Sequence, residues 1–581
     1  MKKRALYGVA DYEEIVRKNG YFVDKTHYIE KLELIENPVF LRPRRFGKSL
    51  LCQMLESYYD VSQEDDFERL FGQTYIGQHP TPLHNTFFVL HLDFSIVKPI
   101  GSLIEIEKRF DLTCNLRMKT VVTRNFNDKL SLELKEDCSS NLQLLLNVLQ
   151  ENKNLPRLYV IIDEYDNFAN KLITSHKDSL YRELTGDGSF LKTFFKTLKE
   201  GRKTGTITNV FVTGVLPLAI DDMASGYNIA NFITLQTKFE QMLGFTQREM
   251  GQLLDEVYRD YEIEPATRQE VEAVLKNHYD GYRFVTPEGE ALYNPTLVMY
   301  FLKQFCDEKI IPKRLIDLNL RTDISWIRRL TASNPKNTEE FVDQLTLYNK
   351  IAYDDVLLVE KFNLFQFFEK SFFPISFFYL GMLTKRDDFY LKLPNLNMQQ
   401  IFVEYFNEIH RINVSTQYAE IMQHFVNAPK LEQLFAGYWE HYVSQLPEAI
   451  LNVTSSVTSF QQVNENFYRT TFFELCSRYL SRWFTWHVER SYPQGKSDLE
   501  FVGKYHEKFA GLRWVIEFKY YSNTELKKSK SSLKNWKLKE KDTLQIAGYV
   551  EGLKKEYPEA HISQFVIYCF GNQGFRVFEV D

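Results

Sequence analysis

The stretch Arg42-Pro43-Arg44-Arg45-Phe46-Gly47-Lys48-Ser49 limits what this chain can fold into more than any other feature of it. It follows the apolar run Pro38-Val39-Phe40-Leu41 and opens a helical pattern from Leu50 to Tyr59. A buried strand that turns tightly into a helix aims backbone N–H groups and the helix N-terminus at one point, where an anion is held. Lys48 then reaches the β- and γ-oxygens of a nucleotide, and the Ser49 hydroxyl is placed for Mg²⁺. Gly47, Lys48 and Ser49 supply the end of the pattern GxxxxGK[ST], while Arg42 stands where its first glycine would be.

Three further apolar runs, Phe87 to Leu92, Leu158 to Ile162 and Val210 to Val212, alternate with helical segments. Continuous apolar strands of this kind are buried on both faces, and the alternation predicts a parallel α/β sheet. The third run ends in Asp163-Glu164, where Asp163 can hold Mg²⁺ through water and Glu164 can polarise the attacking water. Val210-Phe211-Val212-Thr213-Gly214 ends the fourth run with a hydroxyl, Thr213, at the position of a γ-phosphate sensor. The competing account is a chance Gly-Lys-Ser beside a solvated acidic strand end. The order of the two signals, each on the expected kind of element, favours ATP binding; turnover is a separate question, since Glu164 can orient a nucleotide without hydrolysing it.

With 581 residues, the chain is expected to divide into about three to four domains. A hydrophobic fraction of 44% with 25% charged residues excludes a disordered chain. The net charge of −6 means that nucleic-acid binding would need basic residues concentrated in a groove. Six scattered cysteines without a CxxC pair argue against a zinc ribbon or a secreted disulfide framework, so a reducing, cytoplasmic location is expected. The basic start Met1-Lys2-Lys3-Arg4 is not followed by an apolar segment, so no signal peptide is expected. The longest apolar stretch, Phe372 to Leu383, contains Pro374 and is shorter than the ~18 residues a membrane span needs. A buried helix is expected there, and no membrane partner.

From about 240 to 460 the texture is helical, as in Arg268 to Lys276 and Gln399 to His410. Beyond it the order becomes helix (Asn464 to Trp483), three strands (Phe484 to Arg490, Ser497 to Gly503, Arg513 to Tyr521), helix (about Lys541 to Tyr557) and strand (Ile562 to Phe570). Asp498 lies on one of these strands, and Glu517 and Lys519 lie two apart on the next, hence on one face. Two carboxylates that hold Mg²⁺ or Mn²⁺, beside a lysine that positions water and offsets phosphate charge, are what metal-dependent phosphodiester cleavage needs. Glu474 on the preceding helix is a candidate further ligand, although its i,i+4 spacing to Arg478 also fits a plain helical ion pair. The pattern Glu-x-Lys is common by chance. Lys527, Lys528, Lys530, Lys534, Lys537, Lys539 and Lys541, with Trp536 among them, read equally as a phosphate grip with a stacking ring or as a solvated loop.

These stretches together resemble the AAA-ATPase-like proteins of bacteria that carry a C-terminal PD-(D/E)xK nuclease-superfamily domain. Val23-Asp24-Lys25-Thr26, the Arg42 to Ser49 loop, Leu92-Asp93-Phe94-Ser95 and Asp163-Glu164-Tyr165-Asp166 carry the N-terminal likeness. Tyr279-Asp280-Gly281-Tyr282-Arg283-Phe284, Asn294-Pro295, Leu383-Thr384 and Pro394-Asn395 continue it. The Arg-Pro-Arg-Arg form of the loop is typical of that family, which accounts for Arg42. The resemblance implies an α/β protein: a P-loop NTPase parallel sheet over 1–235, a helical lid and middle region over 236–460, and a restriction-endonuclease-like α/β domain over 461–581. It implies ATP and Mg²⁺ (or Mn²⁺ at the second site) as cofactors, with Gln545 supporting the nuclease carboxylates. Arg44 and Arg45 would contact phosphate or a neighbouring protomer's nucleotide, against an equal expectation that they are exposed or salt-bridged. The expected activity is an ATP-dependent or ATP-gated nuclease acting on nucleic acid, DNA rather than RNA. The alternative is a nucleotide-switched regulator whose nuclease fold recognises without cutting. A homo-oligomer is left open.

Overall fold

The structure, a computed structural model, describes residues 2–126, 135–217, 228–317, 329, 332, 334–359, 366, 369–413, 416–451, 463–505, 507–529 and 532–580. Strands β1 (Pro38–Leu41), β2 (Phe88–Asp93), β3 (Leu158–Asp163), β4 (Ile207–Gly214) and β5 (Asn231–Phe232) form one parallel sheet in the order β2-β3-β4-β1-β5. The apolar side chains of β1 to β4 are buried on both faces, as the continuous runs demanded. Since β4 separates β1 from β3, the loop after β1 and the acidic end of β3 open into one crevice at the carboxyl edge of the sheet.

The middle of the chain is helical. It includes Gln247–Tyr261, Arg268–Tyr279, Pro295–Glu308, Pro335–Tyr348 and Leu396–Ile409. A small antiparallel sheet of β6 (Ile351–Ala352), β7 (Thr384–Lys385) and β8 (Tyr390–Lys392) interrupts it. The apolar stretch at Phe372 to Leu383 is indeed buried, but its helix is short, Phe373–Tyr379. Pro374 sits in the first turn, where its missing N–H costs nothing. Among the described residues no helix is long and apolar enough to cross a membrane.

The C-terminal unit has the expected order with one strand more. The helix Glu465–Leu480 precedes β9 (Phe484–Tyr492), β10 (Gly495–Gly503) and β11 (Leu512–Tyr521). The helix Glu540–Glu556 then crosses to β12 (His561–Phe570), which lies parallel to β11, and β13 (Gly574–Val580) closes the edge. The hydrophobic core runs unbroken from Tyr12 to Cys569, through the middle region. A second cluster sits between the Glu540–Glu556 helix and the sheet, and it contains Trp536. That indole is 7% exposed and packs edge-on against Phe570, ring centres 4.8 Å apart. The expectation of a stacking platform at Trp536 is therefore corrected: the ring is core, drawn in by the apolar face of β12.

Candidate phosphate and metal sites

The loop after β1 is bent by two left-handed residues, Arg45 (φ +69°) and Gly47 (φ +92°). Such a turn points successive N–H groups inward, and it requires glycine or tolerates strain. Phe46, between them, is buried edge-on against Tyr282 and Phe284, with ring centres 5.0 and 5.2 Å away. Lys48 begins the helix Lys48–Tyr59; its Nζ donates to the Pro43 carbonyl at 3.1 Å and lies 3.7 Å from Glu164. Ser49 bonds to the Asp163 carboxyl, which burial pushes up to about 6 with the Glu164 charge adding to it. Glu164 itself is left-handed (φ +53°). Arg44, Arg45, Gly47, Lys48, Ser49 and Glu164 line one cavity of about 280 Å³, whose opposite wall is apolar: Val9, Ala10, Phe22, Val23, Leu243 and Met299. A polar loop facing an apolar wall is the shape that takes a triphosphate with a flat base.

Arg42 does not face this cavity. Its buried guanidinium donates to the carbonyls of Leu41, Thr234, Phe239 and Glu240 and lies over the rings of Phe40 and Phe284. Burial lowers it to about 9. The residue in the place of the motif's first glycine thus anchors the loop from behind. Thr213 is not at the cavity either. Its hydroxyl donates 2.7 Å to the Phe40 carbonyl, which commits it to the β4–β1 seam. The sensor expectation fails because the side chain satisfies a backbone acceptor inside the sheet.

In the C-terminal unit the β10–β11 ladder starts at Leu499–Ile516, and just before it the Asp498 carboxylate accepts the Phe518 N–H at 2.7 Å. This splayed edge brings Asp498, Glu517 and Lys519 together. Lys519 Nζ donates to Glu517 Oε1 at 3.1 Å, and Gln545 Nε2 donates to the same oxygen. Glu517 Oε2 is buried without a hydrogen-bond partner. Burial, and then the neighbouring Asp498 charge, raise the Glu517 carboxyl to about 8. Asp498 is raised as well, by burial. Burial works against the Lys519 charge, but Glu517 and Glu465 outweigh it and raise the ammonium.

Glu474 is elsewhere: it pairs with Arg478 one turn on, which was the plainer of its two readings. The carboxylate of that helix that does lie beside Lys519 is Glu465, which the sequence reading did not single out. That carboxylate accepts the Tyr520 N–H at 3.2 Å and lies within the field of Lys519 and Asp498. Two other site residues escaped the sequence reading. Arg469 donates to Asp498 at 3.3 Å and to Glu489 at 2.8 Å, and Glu489 holds a left-handed backbone (φ +53°) opposite Asp498, where the β9–β10 pairing is interrupted. Of the lysine-rich stretch, Lys527, Lys528, Lys534, Lys537 and Lys541 are exposed, Lys539 bonds to Tyr521, and Lys530 lies outside the described residues.

Comparison with known families agrees with this layout. Residues 6–224 match the family model of a predicted AAA-ATPase, and residues 463–579 match the PD-(D/E)XK nuclease superfamily. No curated protein matches the chain. The resemblance read from the sequence is borne out for both ends, as is the α/β class with its helical middle.

Proposed function

We propose that this chain, an AAA-ATPase-like unit joined to a PD-(D/E)XK unit, is an ATP-gated, metal-dependent nuclease that cuts nucleic acid, DNA in preference to RNA. One observation carries the reading: the half-buried Asp498 and the buried Glu517 carboxyl groups interact, with one lysine beside them and a carboxylate oxygen of Glu517 unspent. Buried like charges persist only where something cationic holds them. Asp498, Glu517 and Glu465 offer the oxygen donors that Mg²⁺ or Mn²⁺ takes, although the three are not drawn within 4.8 Å of one another, and such an ion would supply Lewis acidity and a more acidic water. Lys519 orients that water and offsets charge on the phosphate; Gln545 holds Glu517 in place. Lys496 and Lys392 lie near Glu489, together with Arg469 lowering its carboxyl against burial. They are basic groups within reach of a phosphate backbone.

Gating is supported by a material link between the two sites. Phe46 of the phosphate loop packs on Tyr282, just beyond the helix Arg268–Tyr279, and Thr296 donates to the Arg45 carbonyl at 2.8 Å. From that same helix, Asn277 donates 3.0 Å to the Trp486 carbonyl on β9. A shift of the loop on nucleotide binding is therefore transmitted to the strand that carries Glu489. We assign the divisions 1–235, 236–460 and 461–581 to nucleotide binding, transmission and cleavage; the last boundary lies outside the described residues.

The test is cleavage of mixed DNA and RNA with Mg²⁺ or Mn²⁺, with and without ATP, beside Lys48→Ala and Glu517→Ala proteins. Cutting lost in Glu517→Ala, and altered by ATP only while Lys48 is present, is the expected result. Arg469 favours a second reading, since its guanidinium already offsets Asp498 as a metal would. A nucleotide-switched binding protein would bind nucleic acid, cut nothing, and keep its biological activity in Glu517→Ala.

A further inference from the structure

Next to the phosphate loop, three side chains of unlike chemistry converge that are not among the residues lining the nucleotide cavity. Cys52 lies one turn into the Lys48–Tyr59 helix, His91 is on β2, and Asp163 ends β3. One donor atom from each lies within 4.8 Å of the others, and all three residues are buried. His91 Nδ1 bonds to Glu56 at 2.7 Å, so Glu56 fixes the ring and leaves Nε2 as the coordinating nitrogen. That Nε2, on a side chain 6% exposed, has no hydrogen-bond partner, and neither has Asp163 Oδ1. Two buried polar atoms without partners, facing a thiol, mark a place where a ligand would repair the structure.

We infer that Cys52, His91 and Asp163 form an inhibitory site for a thiophilic divalent cation such as Zn²⁺, distinct from the Mg²⁺ that accompanies ATP. The donor set decides the class: thiolate, imidazole and one carboxylate suit Zn²⁺, whereas Mg²⁺ takes oxygen ligands. Metal–ligand bonds of about 2.0–2.3 Å set tetrahedral donors roughly 3.5 Å apart, so closure by about 1 Å would bring the three donors into bonding distance, with a water as the fourth ligand. The thiol proton leaves to solvent as the cation binds. Asp163 is also the partner of Ser49. A cation that claims Asp163 withdraws it from the nucleotide's Mg²⁺, so the two ligands oppose each other. The other clusters with such donors among the described residues lack this character. Asp137 and Asp111 spend their carboxylates on the backbone N–H groups of Ser139, Ser140 and Cys138, and His410 is paired with Asp343.

The experiment is titration of the full chain with Co²⁺, followed by absorption. A thiolate-to-Co²⁺ charge-transfer band with tetrahedral d–d bands is expected at one equivalent. It should vanish in Cys52→Ser, weaken in His91→Gln and persist in Cys138→Ser, with circular dichroism and thermal melts showing each variant folded. Zn²⁺ should lower the affinity for a fluorescent ATP analogue about tenfold in the natural chain and not in Cys52→Ser. A missing thiolate band, a band that survives Cys52→Ser, or equal Zn²⁺ inhibition in that variant overturns the proposal. The spectrum reads the site whether or not nucleotide binds, so a failure of ATP binding is separately visible.

Discussion

Glu465 and Glu474 share one helix but lie on opposite faces of it: nine residues at 100° each bring the second half a turn away from the first. Glu465 bonds to Tyr520 beside Lys519, whereas Glu474 is spent on Arg478. The two glutamates are therefore separable by function. Glu465→Gln should weaken Mn²⁺ binding at the nuclease centre roughly tenfold with little change in stability. Glu474→Gln should leave metal binding intact and cost about 1–2 kcal/mol, a figure reduced because Arg478 is one-third exposed. Calorimetric metal titration and urea unfolding of both variants check this; equal metal affinities would remove Glu465 from the centre.

The raised Glu517 carboxyl makes a pH prediction with a definite sign. A carboxyl raised to about 8 keeps its proton at neutral pH, and a cation must displace that proton to bind. Metal affinity should therefore climb as pH rises from 6 towards about 8 and level off above it. Because the proton spares Glu517 a buried charge and then relieves its repulsion with Asp498, the metal-free protein should lose stability over the same rise. Gln545→Leu removes a donor to the ionised carboxylate and should move both curves to higher pH. Metal titrations at several pH values, with matched melts of the metal-free protein, would show it; a flat metal profile would mean that Glu517 is already ionised.

What the sequence displayed well was local. The strand–loop–helix context of Gly47-Lys48-Ser49, the apolar strand ending at Asp163 and the shared face of Glu517 and Lys519 each follow from neighbours in the chain. The errors needed tertiary information. Glu474 is the acid that the sequence singles out on its helix, and only the position of β11 shows that Glu465, nine residues earlier, is the one beside Lys519. Thr213 looked like a strand-end hydroxyl until β1 supplied a carbonyl for it. Trp536 lay in a lysine-rich stretch whose composition hid an inward-facing ring. Arg469 and Glu489 carried no spacing signal, since they meet Asp498 from a helix and from a strand interruption.

Arg42 is predicted to be needed for folding and not for phosphate contact. Its guanidinium serves four carbonyl groups from a fully buried position, so Arg42→Gly, although it restores the generic motif, leaves acceptors unpaired and a cavity behind the loop. The expected loss is about 3 kcal/mol or more. Arg42→Lys should recover only a fraction, because one ammonium cannot span the same acceptors. Thermal unfolding followed by circular dichroism decides this; a glycine variant as stable as the natural chain would show that the loop holds itself.

Asn277 tests the transmission step. Its amide bonds to the Trp486 carbonyl and the His487 ring on β9, while its helix leads to Tyr282 under the phosphate loop. Asn277 touches neither the ATP cavity nor the carboxylate cluster. If the helix Arg268–Tyr279 carries the coupling, Asn277→Ala should leave ATP affinity and the ATP-free cutting rate near their natural values. The factor by which ATP changes cutting should fall about fivefold, the equivalent of one hydrogen bond of about 1 kcal/mol lost from the coupling. The measurement is the ratio of cutting rates with and without ATP, taken alongside nucleotide titrations. An unchanged ratio would place the coupling in the other contacts of the middle region, and a fall in ATP affinity would mark Asn277 as a support of the loop itself.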